Sequence, residues 1–600
     1  MKNTLNQRWD LDSIFDGGSN SPQLELFLTQ LENDILNEAE ELKRKQITDI
    51  KDWVKTIHRV QDIYARLFEV EEFVICLISN DVEDHKAKLL KERTDRIASS
   101  YKTLENDFEM QLFNISEHTW NELIIHSEIE SIAFPLNKMR EYAKTKFPLD
   151  QESLINDLSV SGFNAWYSLY QSTINKVNVK VDLDGELETL ALGKAYNKLI
   201  SSSDRKTRKH IAQKMEQACK EHADIFAASF NNIAGFRLQV NKRRNKEDHS
   251  ILTTPLRENR LSYETLDMMW SVINKNKSII KAYFERKAQY LGIEKLNWFD
   301  VSSPLDIKTT QHYSYEEAAE LIINLFSKFS SSMSLSAKQA IEEKWIDIEI
   351  RSTKAIGGFA ARFPITKQSR VFMSYHGTPE SLRTLAHELG HVFHQQMVLD
   401  DIPPFCQKYP TSIAETASTF AETIVANEMV ESAEKKEQKI ALLDQKIQNS
   451  VSYLCHIQAR FEFEKQFYEL RKKGSLTVEH INDLYVKAEK DAYQGYLEDY
   501  SDFFWMMIRH FYFTDRSFYN FPYTFGYLYS QGLYAYALKN RTVFEKKYND
   551  LLRDTGKMTI EQLTQKHLDV DLKKQDFWQN AMDMIAADIQ QFLELTTSSN

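Results

Sequence analysis

The sequence predicts a mainly α-helical protein. Of its 600 residues 42% are apolar, and only 11 are proline and 16 are glycine. So few helix-breaking residues favour long helices, and a chain of this length can form more than one packed lobe. From about residue 20 to residue 170, apolar residues recur at helical spacing while acidic and basic residues occupy the opposite positions, which is typical of amphipathic helices.

Charge and composition argue against several classes of function. The net charge of −12 argues against a nucleic-acid partner, because that role needs a basic surface. No run of 18 apolar residues occurs, so we expect no membrane span. The N-terminus lacks an apolar signal core, and the four cysteines lie far apart without metal or redox spacing. These features predict a cytoplasmic protein with reduced thiols.

The most informative motif is His387-Glu388-Leu389-Gly390-His391, which fits the H-E-x-x-H pattern. Histidines at i and i+4 of a helix point the same way, so both can reach one zinc ion, and Glu388 is placed to take a proton from a water molecule there. With 16 His and 87 acidic residues in 600, chance predicts roughly 0.06 matches. The alternative is a histidine pair that core hydrogen bonds satisfy.

The motif lies in a predicted helix. Thr378-Pro379-Glu380 supplies a capping hydroxyl, a proline suited to the first helical position and an acid in the first turn. Apolar residues from Leu382 to Met397 then recur at helical spacing. Gly390 inside this helix costs about 1 kcal/mol relative to alanine, which indicates that another segment comes close at that point.

A catalytic zinc site needs a third protein ligand, and the best candidate is Glu415. It lies on a predicted helix that begins near Pro410, where Glu415, Ser418 and Glu422 form a polar stripe at i, i+3 and i+7. Ser412 and Glu415 also fit a capping box, in which the glutamate folds back onto the helix start. Spacing alone leaves both interpretations open.

Several segments resemble the oligoendopeptidase F family of zinc metallopeptidases, relatives of thimet oligopeptidase. The resemblance is carried by the H-E-x-x-H string and by the segments 374–378, 415–420, 8–15 and 459–464, so it extends over nearly the whole chain. It implies one zinc ion bound by His387, His391 and Glu415, with Glu388 as the general base. It also implies an elongated helical body of two lobes that flank a deep central channel, with a small β-sheet near the active site.

A predicted β-hairpin marks a boundary between domains. Val177, Val179, Val181 and Leu183 alternate with polar residues up to Asp184-Gly185, which is a turn signal. We therefore predict an N-terminal helical lobe over residues 1–200 and a catalytic zinc-peptidase domain over residues 201–600.

The resemblance implies a catalytic role for an aromatic tract near the C-terminus. On composition alone, aromatic residues from His510 to Tyr527 are more typical of a packed core. In the family, a histidine and tyrosines of this segment stabilise the oxyanion that forms during hydrolysis. His510 matches that histidine, and Tyr519, Tyr523 and Tyr527 are spaced by four, so they could share one helix face.

A glycine loop precedes the metal motif. Gly357 and Gly358 lead into a predicted strand that contains Phe372 and Ser374. An extended peptide could add itself to the edge of that strand, which makes these four residues predicted substrate contacts. The alternative is a hairpin that only supports the metal helix, and the resemblance favours the binding role.

These features together predict a zinc endopeptidase that hydrolyses short oligopeptides. Two alternatives remain open: a zinc-retaining peptide-binding protein without turnover, and a zinc hydrolase of small amides. The sequence indicates neither a cleavage preference nor an oligomeric state.

Overall fold

The computed structural model describes residues 5–44, 47–183, 185–244, 250–305, 307 and 312–597. Asp184 of the predicted hairpin turn lies outside this set. Helices dominate the described residues, so the prediction of a mainly α fold is confirmed.

The elements of the first half of the chain are α1 (Pro22–Arg44), α2 (Ile50–Asn80), α3 (His85–Asn114), α4 (Glu117–Ile124), α5 (Ala133–Ala143), α6 (Leu149–Ser161), α7 (Asn164–Ile174), β1 (Asn178–Leu183), β2 (Glu186–Ala191), α8 (Leu192–Ser201), α9 (Arg205–Lys220), α10 (Ala223–Arg244), α11 (Thr253–Glu258) and α12 (Tyr263–Tyr290). Those that follow, up to the metal motif, are α13 (Tyr315–Ser327), α14 (Ser331–Glu342), β3 (Ile346–Asp347), β4 (Phe359–Phe363), β5 (Gln368–Phe372) and α15 (Pro379–Leu399).

The remaining elements are α16 (Thr411–Ser432), α17 (Lys436–Val451), a π-helical turn (Ser452–His456), α18 (Ile457–Arg471), α19 (Val478–Ala492), α20 (Phe521–Lys539), α21 (Arg541–Asp554), α22 (Ile560–Leu568) and α23 (Gln575–Thr596). Short 3₁₀ turns occur at Gly18–Asn20, Glu130–Ile132, Trp298–Asp300, Pro404–Gln407, Phe504–Met507 and Arg509–Tyr512.

Many of the helices begin at a short polar residue whose side chain accepts a hydrogen bond from the first turn, because the first backbone N–H groups of a helix have no partner within it. The capping residues are Asp49, Asp84, Ser116, Asp204, Ser262, Ser314, Ser330, Thr378, Thr477 and Thr559. The predicted cap at Thr378 is therefore confirmed.

The chain divides into two compact units, each built from three segments. Unit 1 comprises Met1–Lys146, Gln311–Val425 and Tyr536–Asp571, and unit 2 comprises Phe147–Thr310, Ala426–Ala535 and Leu572–Asn600. The domain division predicted at residue 200 stays a prediction.

In unit 2, β1 and β2 form the predicted antiparallel hairpin. Val177, Val179 and Val181 are buried, as the alternating pattern requires. Gly185 has a φ of +87°, a backbone conformation that glycine adopts without strain.

In unit 1, the sheet that precedes the metal helix has the strand order β3-β5-β4. The central strand β5 is parallel to β3 and antiparallel to β4. At Val371 and Phe372 both edges of β5 are paired, with β3 on one side and β4 on the other, so the prediction that a peptide adds to this strand at Phe372 is wrong. Within the described residues, β4 provides the edge of this sheet that lies next to the metal helix.

The metal helix α15 and helix α16 meet at Gly390. A Cβ atom at this position would lie 2.5 Å from the carbonyl oxygen of Ala417 and 2.7 Å from the Cα of Ser418. Only a residue without a side chain allows the two backbones to come this close. The close approach predicted from the glycine is confirmed.

We expect Gly390→Ala to lower the thermal stability of the metal-free protein. Overpacking against backbone costs about 1–3 kcal/mol, which exceeds the ~1 kcal/mol that alanine gains in helix propensity. Differential scanning calorimetry would measure the change. Gly193→Ala in α8 is the matched control, since its Cβ would meet nothing within 4 Å. A Gly390→Ala protein as stable as the wild type would contradict the close packing.

Candidate metal centre

Two helices bring the three predicted metal ligands together. His387 and His391 lie one turn apart on α15, and Glu415 lies in the first turns of α16. One ligand atom from each residue lies within 4.8 Å of the others. The Glu415 carboxylate is 3.4 Å from Nε2 of His387 and 3.5 Å from Nε2 of His391. A carboxylate directed at both histidines favours the ligand interpretation over the capping box.

The three residues fit a zinc ion in donor type and in spacing. Two imidazole nitrogens and one carboxylate oxygen form a common ligand set of catalytic zinc sites. Bond lengths of ~2.0–2.1 Å in a tetrahedral arrangement separate neighbouring ligand atoms by roughly 3.3 Å. The observed nitrogen-to-oxygen distances are close to this separation.

Glu422 supports the first histidine from the opposite side. Its carboxylate lies 3.5 Å from Nδ1 of His387 and 3.6 Å from Nε of Arg383. A carboxylate on the second ring nitrogen of a metal-binding histidine fixes the ring orientation and its tautomer. The sequence predicts Glu422 on the same polar stripe as Glu415 but did not indicate this supporting role. The i+7 spacing, which puts both carboxylates on one helix face, is the signal that could have revealed it.

These contacts determine the protonation of the site. Burial lowers the pKa of His387, but hydrogen bonds from its ring to Glu415 and Glu422 outweigh burial and raise this pKa to about 10. Burial likewise raises the pKa of Glu415, but hydrogen bonds from the two histidines bring it well below its ordinary value. In the metal-free protein an imidazolium therefore lies between two carboxylates.

Glu388 lies beside the ligands and is buried. Burial raises the pKa of its carboxyl group, while the charges of His391 and His387 act in the opposite direction. Among the described residues no group donates a hydrogen bond to its Oε2. A Cβ at Gly358 would lie 3.3 Å from Oε1 of Glu388, so the glycine leaves room for this carboxylate.

A cavity of about 540 Å³ in unit 1 opens onto these residues. The three ligands and Glu388 form one side of it. The other sides are formed by residues of β4 and its approach, of α2 and of the segment before α16: Gly358, Phe359, Ala360, Arg362, Tyr64, Phe68, Glu72, Gln407, Lys408 and Tyr409. The sequence did not predict that α2 lines this cavity. Nothing in an amphipathic helix some 300 residues earlier indicates that it lies beside the metal motif.

The four predicted substrate contacts have different environments. Gly358 lines the cavity, whereas Gly357 is exposed with a φ of +122°. Ser374 is half-buried. The Phe372 side chain is 1% exposed and packs against the rings of Trp9 and Phe359. Phe372 is therefore a core residue whose side chain is not accessible to a substrate.

The aromatic tract lies in unit 2, where His510 is flanked by two tyrosine rings. Its ring centroid is 5.0 Å from that of Tyr519 and 5.9 Å from that of Tyr523. The helix α20 begins only at Phe521, so the prediction that Tyr519 shares a helix face with the other two tyrosines is wrong. Tyr527 stacks on Tyr453, and its hydroxyl lies 2.7 Å from that of Ser450.

The side-chain amide of Asn520 contacts one edge of the His510 ring. Nδ1 of His510 lies 2.9 Å from Oδ1 of Asn520. Burial lowers the pKa of His510, the Asn520 contact raises it, and the charges of Arg460, Arg509 and Arg516 lower it further. The imidazole is therefore neutral near pH 7. With the amide oxygen at Nδ1, the ring proton lies on Nδ1.

Two histidines and a glutamate grouped beside a second, buried glutamate form the kind of centre found in metal-dependent hydrolases. Comparison with known proteins identifies the family of hydrolases. The model of peptidase family M3 matches residues 198–584, and that of oligopeptidase F matches residues 111–178. The first match alone covers more than half of the chain, which therefore belongs to peptidase family M3 and is a metalloendopeptidase.

Curated relatives and solved structures agree with this assignment. An oligoendopeptidase F homolog of Lactococcus lactis is 24% identical over 91% of this chain and 90% of the relative, and one of Borreliella burgdorferi is 21% identical over 98% of both. The oligoendopeptidase F structure of Enterococcus faecium has a TM-score of 0.71 at 18% identity, covering 96% of this chain and 98% of that chain. A candidate peptidase of Chlamydophila abortus has a TM-score of 0.83 at 19% identity over 98% of both chains.

Within the described ranges, no helix combines the length and the apolar character that a membrane span requires.

We expect metal binding to release about one proton per ion at pH 7. His387 is protonated below pH 10 in the metal-free protein, and a metal ligand must be neutral, so the ion has to displace this proton. The apparent metal affinity should therefore rise about tenfold per pH unit up to about pH 10. Titration calorimetry in buffers of different ionisation enthalpy measures the released protons.

Glu422→Gln is the control for this measurement. It removes one of the two carboxylates that hydrogen-bond to the His387 ring and raise its pKa, so proton release should end at a lower pH. A binding enthalpy that does not depend on the buffer would contradict the protonated His387.

Proposed function

We propose that this metalloendopeptidase uses zinc and acts on short oligopeptides. One observation carries the proposal: a buried glutamate, Glu388, has an unpartnered carboxylate oxygen in the same cavity as His387, His391 and Glu415. A general base must lie within reach of the water that it deprotonates, and a cavity beside the metal ligands provides that position. The names of the curated relatives support peptides as substrates.

The chain supplies the metal ligands and the base. When bound by His387, His391 and Glu415, zinc supplies a Lewis acid that polarises a carbonyl group and makes water more acidic. Glu388 accepts the water proton on its carboxylate and then donates it to the leaving amine. Its raised pKa suits this exchange, because a carboxylate of higher pKa accepts a proton from water more readily, and its carboxyl group can still donate that proton to the more basic leaving amine.

The edge of β4 offers a place for the substrate backbone. Since residues 359, 361 and 363 face β5, the peptide groups of Gly358, Ala360 and Arg362 point away from it. The carbonyl of Ala360 already accepts a hydrogen bond from Gln395 of α15. An extended peptide would therefore pair with the backbone near Gly358, beside the carboxylate of Glu388.

The walls of the cavity favour a bound side chain that is aromatic or acidic. Tyr64, Phe68 and Tyr409 provide ring faces, and the guanidinium of Arg362 stacks on Phe68 at 4.8 Å. Burial raises the pKa of Glu72 to about 7, so this wall carries little negative charge below neutral pH. Arg362 thus remains available to attract an acidic group.

The role of His510 stays a prediction from the resemblance. To support an oxyanion, its Nε2 must carry a proton, which requires either the charged ring or an Asn520 amide turned to donate to Nδ1. Tyr519 and Tyr523 are the better tyrosine candidates, because their rings flank His510. A cytoplasmic location and the absence of nucleic-acid partners also stay predictions.

Glu388→Gln tests the proposed function. It keeps the size of the side chain but removes the proton acceptor, so we expect full zinc content, retained peptide binding and a ~10²–10⁴-fold loss of hydrolysis. Mass spectrometry of a peptide mixture and metal analysis would measure these effects.

Two further results separate the alternatives. A wild-type protein that holds zinc but cleaves no peptide would identify a binding protein, and cleavage confined to small amides would identify a different hydrolase. Glu415→Ala should bind zinc far more weakly, and full zinc affinity in this variant would restore the capping-box interpretation. Hydrolysis by zinc-loaded Glu388→Gln at the wild-type rate would refute the proposed base.

A second experiment tests the aromatic tract. If His510 acts in the transition state, His510→Ala should lower kcat much more than it raises KM, with zinc content unchanged. Loss of a single oxyanion donor commonly costs ~10²–10³ in kcat. Tyr519→Phe or Tyr523→Phe should show such a loss, and Tyr527→Phe is the control with little effect. Normal turnover in all four variants would mean that the tract serves only as packing.

A further inference from the structure

We propose that unit 2 contains a second binding site, a cavity at Arg460 that takes a small monovalent anion such as chloride or a single carboxylate group. The cavity has a volume of about 180 Å³. Its polar walls include Arg460, His456 and Glu489, and its apolar walls include Tyr196, Trp298 and Phe504.

The guanidinium of Arg460 forms no ion pair within the described part of the chain. Arginine carries five N–H donors, and the one hydrogen bond described for Arg460 goes from Nη2 to Nε2 of His456, at 2.6 Å. Its Nε is shielded from solvent and has no partner among the described residues. No described carboxylate lies within 4.0 Å of the group. A half-buried guanidinium with unused donors and no paired carboxylate would gain from a compensating anion.

His456 does not change this charge balance. Arg460 can only donate, so Nε2 of His456 must accept, and the ring is neutral with its proton on Nδ1. Burial, assisted by the charge of Arg460, holds the pKa of His456 well below its ordinary value.

Glu489 is the only acidic residue among those lining the cavity. It is buried, and its Oε2 has no partner among the described residues. Burial raises the pKa of Glu489 to about 8, while the hydroxyl of Tyr485 and the charge of Arg460 act in the opposite direction. The lining therefore carries a net charge of +1 at neutral pH, and the protonated carboxyl can itself donate a hydrogen bond to an anion.

The size of the cavity limits what can enter. A water molecule takes about 30 Å³ in the liquid, so 180 Å³ holds roughly six waters, or a small anion with a few waters. Pockets for drug-sized ligands begin at ~300 Å³. Only the terminal carboxylate of a peptide would fit, so a free anion and a peptide end are two sources of the same chemistry.

The local backbone explains why the cavity exists. Ser452–His456 is a π-helical turn between α17 and α18. Such a turn inserts one residue into the helical register, and π-bulges occur frequently at functional sites. His456 ends the turn and Arg460 follows one turn later, so both side chains point to the same side of the helix.

The test uses the full-length, metal-loaded protein. Its melting temperature is measured while chloride replaces a bulky sulfonate buffer anion at constant ionic strength and sodium concentration. A site gives a saturable rise, because stabilisation follows the occupancy of the ligand. We expect saturation in the wild type and none in Arg460→Met. A response that is absent, linear, or equal in the two proteins would overturn the proposal.

Glu489→Gln is the matched control. It cannot ionise, so the saturable chloride response should persist. If the wild type shows no response and Glu489→Gln gains one, Glu489 is the counterion of Arg460 and the proposal is wrong. If Arg460→Met does not fold, crystals of the wild type soaked in bromide decide the question. An anomalous peak within hydrogen-bond distance of the guanidinium supports the site, and a cavity that holds only water overturns it.

A competition experiment distinguishes the two sources of the anion. Trialanine and its C-terminal amide are compared as competitors of chloride in a Glu388→Gln background, which prevents hydrolysis. Competition by the acid alone supports a site for the peptide carboxylate, and competition by neither supports a site for free anions. Competition by both peptides equally would overturn the assignment, because the amide lacks the charge that Arg460 recognises.

Discussion

The metal centre depends on how closely two helix backbones approach each other. Gly390 on α15 lies against Ala417 and Ser418 of α16, and this contact sets the distance from Glu415 to the two histidines. An interaxial separation larger by one methyl group would move the carboxylate out of reach of a shared ion. Gly390, which contributes no ligand, therefore controls the geometry of the three candidate ligands.

A network of buried charges lies in the sheet that precedes α15. Asp347 of β3 is fully buried and accepts hydrogen bonds from Arg351 and Lys354, each at 2.7 Å. Lys354 also donates to the carbonyl of Met373, the residue after β5. Lys354 therefore joins β3 to the end of β5, and removing either partner of this buried ion pair would leave an uncompensated charge.

Local signals predicted the parts of the site that lie close together in sequence. The caps, the i, i+4 histidines and the stripe from Glu415 to Glu422 are all readable within one or two helices, and the structure brings them together. The pairing of β5 and the contribution of Tyr64, Phe68 and Glu72 were not predictable, because tertiary packing alone decides which strand is central and which distant helix covers a cavity. The tyrosine spacing failed for a local reason, since the helix begins two residues after Tyr519.

The discontinuous make-up of unit 1 has a consequence for the order of folding during synthesis. Its third segment, 536–571, includes α21, which packs against α15, and Thr555, whose hydroxyl lies 3.0 Å from Nε2 of His394. During synthesis, α15 therefore leaves the ribosome long before the residues of segment 536–571 that pack against it. Until then the part of α15 that α21 covers is exposed, and such apolar surface makes a partly folded chain prone to aggregate.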